Sequence, residues 1–230
     1  QKDVDDKKFT WCSVDTCGVK TRDRFVDRHY ISVNVDESCN LACPSCRKSR
    51  IYRTEGKEFL SRESIAKHVL NLINKFDKPI EIMMCGNGDP FASLIYRPLI
   101  LDMEPKENIR LRLLTNGLLL KKLMPKMKSK RNIKYLDISI DAGDSVKENV
   151  DCTVTLKFVL QKDNLHSLDN FVALLGKYNF SGNIMPIEDW GTMSNFDAQN
   201  VFDSSHPDHA LLQEKLAKHR DNPLLFFHAI

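Results

Sequence analysis

Cys39-Asn40-Leu41-Ala42-Cys43-Pro44-Ser45-Cys46 is the stretch on which the reading of this chain turns. It follows Ile31 to Val35, a short, β-branched, alternating run that reads as a strand. Three thiols spaced this closely can wrap one face of a metal centre. An iron–sulfur cubane usually takes four cysteines, and a zinc site also wants four ligands. Three ligands leave one position open, which is what a substrate-binding cluster needs. A zinc knuckle with a distant fourth ligand satisfies the same spacing.

Beyond this loop the chain alternates between two periodicities. Ser61 is placed to cap a helix running to about Phe76, with Ile65, Val69, Leu72, Ile73 and Phe76 on one stripe. Strands are expected at Pro79 to Met84, Ile109 to Leu114, Lys134 to Ile140, Thr153 to Leu160 and Asn183 to Ile187. Helical patterns cover Leu118 to Lys128, Leu168 to Tyr178 and, after Pro207, Asp208 to His219. Strands alternating with helices predict parallel βα units. Six such units give an α/β fold, a partial (βα)6 TIM-like barrel rather than a closed one of eight units. The link between Ala142 and Val154 is only eleven residues long. A parallel crossover normally needs a dozen or so residues with a helix inside. Either that helix is reduced to a turn or a segment is missing. The expected organisation is an N-terminal cysteine-containing segment over 1–30, the barrel over 31–190 and a helical extension over 191–230.

Candidate site residues fall at the ends of successive strands. Gly86-Asn87-Gly88-Asp89-Pro90 follows the second strand, where glycines allow close backbone approach and Asp89 offers an anion to an ammonium group. Thr115-Asn116-Gly117 closes the third strand. Ser139 and Asp141 share a face at the end of the fourth, where a hydroxyl and a carboxylate suit a ribose. Each motif alone also reads as an ordinary turn. Together they occupy the end of a parallel barrel at which active sites are built.

The order CxxxCxxC, GxGDP, TNG and SIDA over roughly residues 31–190 resembles the radical S-adenosylmethionine superfamily. The resemblance implies a [4Fe–4S] cluster on Cys39, Cys43 and Cys46, whose open iron chelates S-adenosylmethionine. It further implies reductive cleavage of that cofactor and hydrogen abstraction from a substrate. Gly86 to Pro90 matches the motif usually written GGE, with Asn87 and Asp89 in place of glycine and glutamate. Ser139 and Asp141 match the ribose-contacting strand, Asn164 a carboxylate or ribose contact, and Met185-Pro186-Ile187 the neighbourhood of adenine. Ser45 departs from the aromatic residue usual before the third cysteine. Cys12 and Cys17 look like the tail of a SPASM or twitch-type auxiliary region that carries a second iron–sulfur cluster, here ahead of the barrel. Trp190 and His206-Pro207 also resemble features of such relatives. Cys85 and Cys152 read as small core residues.

Composition is that of a globular domain, 42% hydrophobic and 28% charged. A net charge of +3 calls for neither nucleic acid nor membrane as a partner. The basic stretch from Lys121 to Lys134 reads as a solvated surface. Gln1 to Lys8 is polar and charged, unlike a signal peptide, and Gln1 is not an initiator Met, so the chain reads as a processed product or a piece of something longer. Closely spaced cysteines without a leader point to a reducing, cytoplasmic setting. The expected function is a radical enzyme that modifies a peptide or protein, with carbohydrate or another small metabolite as the alternative substrate. The family implies flavodoxin or ferredoxin as electron donor. The competing readings are a non-enzymatic zinc or iron–sulfur module and a degenerate binder of S-adenosylmethionine.

Overall fold

The computed structural model describes residues 28–84, 88–139, 152–189 and 191–227. Its centre is one sheet of seven parallel strands: β1 (His29–Val33), β2 (Ile80–Met84), β3 (Ile109–Thr115), β4 (Ile133–Ser139), β5 (Thr153–Leu160), β6 (Ser181–Pro186) and β7 (Leu225–Phe227). Spatial order follows chain order, and every neighbouring pair is parallel. The sheet is not closed, since β1 and β7 stand at its two edges. This is the expected α/β partial barrel, with one strand more than the six expected. The extra strand, β7, pairs with β6 from within the region expected to be a helical extension. Three residues are too few to show a period, which is why it escapes a pattern-based reading.

Six α-helices lie among the described residues: α1 (Gly56–Lys75), α2 (Tyr96–Asp102), α3 (Leu120–Leu123), α4 (Leu168–Tyr178), α5 (Phe196–Gln199) and α6 (His209–His219). The helix α1 begins ahead of the expected Ser61, at an extended Glu55. Its inward stripe runs through Ala66, Val69, Leu70 and Ile73, while Ile65 and Leu72 stay 53% and 56% exposed. The expected stripe is therefore rotated, because Ala66 is small enough to sit against the sheet. In the predicted helix at Leu118 to Lys128, only α3 is α-helical, and Met124–Lys126 continues as a 3-10 turn. Pro125 cannot donate to an α-helical ladder. The basic side chains from Lys121 to Lys134 are exposed, as a solvated surface requires.

One face of the strands makes the core. Ile80, Ile82 and Met84 of β2, Ile109, Leu111 and Leu113 of β3, and Val154, Leu156, Phe158 and Leu160 of β5 are buried with Leu99, Phe171 and Leu175 of the helices. Buried parallel strands usually read as continuous apolar runs. Here β2, β3 and β5 alternate, because the opposite face carries Glu81, Arg110, Arg112, Thr155 and Lys157.

Two clasps fix the frame. Tyr96, 1% exposed, donates its hydroxyl hydrogen to the Val33 carbonyl at 2.7 Å and accepts the Val35 N–H at 2.9 Å, joining α2 to the end of β1. Asp169 on α4 meets Lys215, Lys218 and His219 of α6 at 2.8, 2.8 and 2.7 Å. Hydrogen bonds from those groups hold its carboxyl well below the usual carboxylate range.

Tyr96→Phe leaves a buried carbonyl and a half-buried N–H without this partner and is expected to cost about 2 kcal/mol, read by urea denaturation. A depressed carboxyl contributes stability that is present at neutral pH and lost as pH falls through the ordinary carboxylate range and below it. The melting temperature of Asp169→Asn should therefore lie below that of the unaltered chain at neutral pH. The gap should begin to narrow near pH 4 and keep narrowing as the pH falls further.

Candidate active site

The cysteine loop is closed at its base by main-chain contacts. The Cys39 N–H donates to the Ile51 carbonyl at 2.8 Å, and the two residues form an antiparallel bridge. Inside the loop the N–H groups of Cys46 and Arg47 donate to the Cys43 carbonyl at 2.9 and 3.0 Å. Below the bridge, the Arg53 N–H donates to Ser38 Oγ at 3.0 Å. The Arg53 guanidinium lies 3.2 Å from Glu58, pairs with Glu37 and stands 3.8 Å from Asp36. Asp36 is 1% exposed and accepts the Ser93 hydroxyl at 2.6 Å. Residues before, after and beside the cysteines are thus bound into one base.

The loop after β2 meets this base backbone to backbone. A Cβ on Gly88 would lie 2.3 Å from the Ser38 carbonyl oxygen and 2.6 Å from the Glu37 carbonyl, so no side chain fits. The next residue, Asp89, donates its N–H to that same Ser38 carbonyl at 2.9 Å. Its carboxylate is 3% exposed and accepts four hydrogen bonds. One oxygen takes the N–H groups of Phe91 and Ala92 at 2.9 and 3.2 Å, and the other takes the Thr115 hydroxyl and Asn116 N–H at 2.7 Å each. Asp89, expected to hold an ammonium group, spends its acceptors on tying the second strand end to the third. Asn116 then reaches back to the cysteine loop, donating from Nδ2 to Asn40 Oδ1 at 2.7 Å. Gly117 completes this turn with a φ of 79°, a conformation that favours glycine.

These pieces surround a cleft of about 540 Å³ at the C-terminal ends of the strands. Small-molecule sites typically span roughly 300–1,000 Å³. Cys39, Cys43 and Cys46 line it together with Gly88, Asp89, Thr115, Asn116, Ser139 and Pro186. Ser45 lines it too, where an aromatic residue was the expected pattern. Pro90 is buried and not part of the lining. Asn164, expected near a carboxylate or ribose, is also absent from it. Its amide closes the turn after β5, accepting the Gln161 N–H and donating to the Val159 carbonyl, at 2.9 Å each. Gly86, Asn87, Asp141, Cys12, Cys17, Cys85, Trp190 and most of the link between Ala142 and Val154 lie outside the described residues. The lining also includes Glu37, Arg47, Leu114, Val159 and Glu188, which motif spacing does not mark. Leu114 and Val159 were accessible by alternation, since each shares the face of its strand end; the loop residues carry no such signal.

The donor set fits an iron–sulfur cluster. The thiols of Cys39, Cys43 and Cys46 stand on one wall of the cleft. The Leu41 N–H and Asn116 Nδ2 stand 3.5 and 3.9 Å from Cys39 Sγ, and Arg47 Nη2 stands 3.6 Å from Cys46 Sγ. N–H groups beside sulfur tune a bound cluster. Among the described residues no three His, Cys, Asp or Glu side chains converge on a single-ion site.

Gly88→Ala should push the β2 loop off the cysteine loop and lower the iron bound per chain after anaerobic reconstitution to below half. Asp89→Asn turns an acceptor into a donor facing N–H groups and should destabilise the chain by roughly 2–4 kcal/mol, read by chemical denaturation.

A solved structure described as native anSMEcpe with bound AdoMet matches at 17% identity and a TM-score of 0.45, covering 70% of this chain and 52% of that one. The chain thus spans about half the length of that structure. No curated protein matches the chain. The radical SAM superfamily matches residues 33–185, most of the 230-residue chain, from the end of β1 through β6. A match over more than half of its length makes the chain a member of the radical SAM superfamily.

Proposed function

We propose that this chain is an enzyme that reductively cleaves S-adenosylmethionine and modifies a peptide or protein substrate. The observation that carries the catalytic part is the single cleft shared by Cys39, Cys43, Cys46 and residues at the ends of β2 to β6. When bound, the cluster and S-adenosylmethionine supply one-electron chemistry that yields a 5′-deoxyadenosyl radical and abstracts hydrogen from substrate. The chain's own part is to hold and shield. Cys39, Cys43 and Cys46 are the cluster ligands in this reading. Gly88, Thr115, Asn116, Ser139 and Pro186 form the wall against which the nucleoside lies, and Leu114 and Val159 keep water from it.

The peptide part rests on Cys12 and Cys17, the tail of an auxiliary region of SPASM or twitch type with a second cluster. A carbohydrate or other small metabolite is the alternative substrate. An acidic electron carrier such as flavodoxin or ferredoxin is the reductant we infer, in a cytoplasmic setting. Cys46 is exposed, and the segment 47–58 beside it holds Arg47, Lys48, Arg50, Arg53 and Lys57 against Glu55 and Glu58. Five cations less two anions gives +3, equal to the net charge of the whole chain. No helix among the described residues is long and apolar enough to cross a membrane.

Anaerobic reconstitution with iron and sulfide should give a brown chain holding about four irons at the three-cysteine site. With dithionite and S-adenosylmethionine it should release 5′-deoxyadenosine, and Cys43→Ala should release none. A brown chain that binds S-adenosylmethionine without cleaving it would establish the degenerate reading. A chain that keeps zinc and takes up no iron would sink the proposal.

A further inference from the structure

The barrel interior below the cleft holds charges with no hydrogen-bonded acceptor. Leu114, Ser139, Val159 and Met185 line the cleft at the ends of β3 to β6. Two residues earlier on each strand, on the same face, stand Arg112, Asp137, Lys157 and Asn183. They form a layer about 7 Å beneath the cleft floor. Asp137 is 5% exposed, and its Oδ2 lies 3.6 Å from Arg112 Nε and 3.6 Å from Lys157 Nζ. Both separations exceed hydrogen-bond distance. Arg112 also lies over the Tyr135 ring, 4.7 Å from its centroid. Among the described residues neither Arg112 nor Lys157 donates a hydrogen bond, although together they carry about eight N–H donors.

The buried partner, Asp137, is costly to desolvate unless it is paired and hydrogen-bonded, and both of its cations stand beyond hydrogen-bond distance. Among the described residues Asp137 is the one carboxylate within 4 Å of these cations, and one carboxylate does not neutralise two. One layer lower, Arg110 and Glu81 are register partners and leave the excess unchanged. The atoms Arg112 Nε and Asn183 Oδ1 are both buried without a hydrogen-bond partner among the described residues. Asn183 is the register partner of Lys157, and a half-turn of its amide presents donors to the same space. The layer is reachable: Arg112 and Lys157 side chains are 36% and 21% exposed, and Tyr30 on the open edge strand β1 is 55% exposed.

We propose that this layer is a binding site for an oxyanion, a carboxylate or phosphate group of the substrate, held by the Arg112 fork and the Lys157 ammonium. Asp137 sets its strength by partial neutralisation. The word substrate rests on the enzymatic reading above; the anion site itself does not. An arginine fork matches the planar or tetrahedral oxygens of such groups, and lysine adds a mobile point charge. A substrate anchored here by its anion would extend upward to the cleft, where the hydrogen is removed.

The test uses the full chain without cluster or S-adenosylmethionine, so its failure is distinct from failure to cleave that cofactor. Inorganic phosphate and acetate are titrated against chloride at matched ionic strength, with melting temperature as the readout. Phosphate or acetate should raise it, and which of the two does so separates a phosphate-bearing from a carboxylate-bearing substrate. Lys157→Gln and Arg112→Gln should each weaken the anion roughly tenfold, while Lys67→Gln on α1 leaves it unchanged. Asp137→Asn should bind the anion more tightly, which a merely structural ion pair would not do. Should the variants not fold, the unaltered chain still decides. Phosphate must slow acylation of Lys157 by acetic anhydride relative to Lys67, mapped by mass spectrometry. No anion-specific rise, a rise retained in Lys157→Gln, no gain in Asp137→Asn, or equal acylation rates would each overturn the proposal.

Discussion

The buried carboxylate of Asp89 is the interaction on which the site depends. It accepts two main-chain N–H groups from its own turn on one oxygen, and a hydroxyl and an N–H from the end of β3 on the other. An ionised carboxylate at 3% exposure is tolerable only because its acceptors are filled. With the strand ends joined in this way, the Asp89 N–H and the missing side chain of Gly88 let the Ser38 carbonyl settle against the β2 loop. The cysteine loop is consequently placed by main chain. Asp36, Ser93 and Arg53 brace that arrangement from below, but they act on a position that the backbone contact already defines.

Much of this architecture was legible in the sequence. Strands β5 and helix α4 match their expected bounds, because each shows an uninterrupted period and a polar stop. That the cysteine loop, Gly88 and Thr115-Asn116 share one end of the sheet was legible because strand ends and special backbone positions use few residue types. The strand β7 and the helix α2 were not, since one is too short to show a period and the other carries Pro98 in its first turn. The inward face of α1 was misplaced because alternative apolar stripes lie side by side on that helix, and only packing against the sheet chooses between them. Asn164 illustrates another limit. Its residue type suits a ligand contact and a turn closure equally, and spacing cannot say which hydrogen bonds an amide will make.

The two faces of the sheet follow opposite rules. Toward the helices, aliphatic side chains from β2 to β5 interlock with Leu99, Phe171 and Leu175, and the alternation of buried positions is almost unbroken. Toward the interior, the same strands place arginine, aspartate and lysine, which no hydrophobic requirement would select. Closed barrels fill that volume with branched aliphatic layers. Here Arg112 and Lys157 keep part of their surface exposed and so avoid the full cost of desolvation. The fold therefore separates stability from recognition by the direction in which a residue points.

Because spatial order repeats chain order across the whole sheet, the rim of the cleft is a one-dimensional map of the polypeptide. Reading from Cys39 to Glu188 along the sequence is also a walk around the arc, from the thiol wall through the glycine turn to the end of β6. A ligand laid along that arc meets the ends of β2 to β6 in numerical order. Loop segments behave as separable sectors: one can be lengthened or exchanged to reshape its own angular share of the rim, while distant sectors keep their geometry through the sheet beneath them.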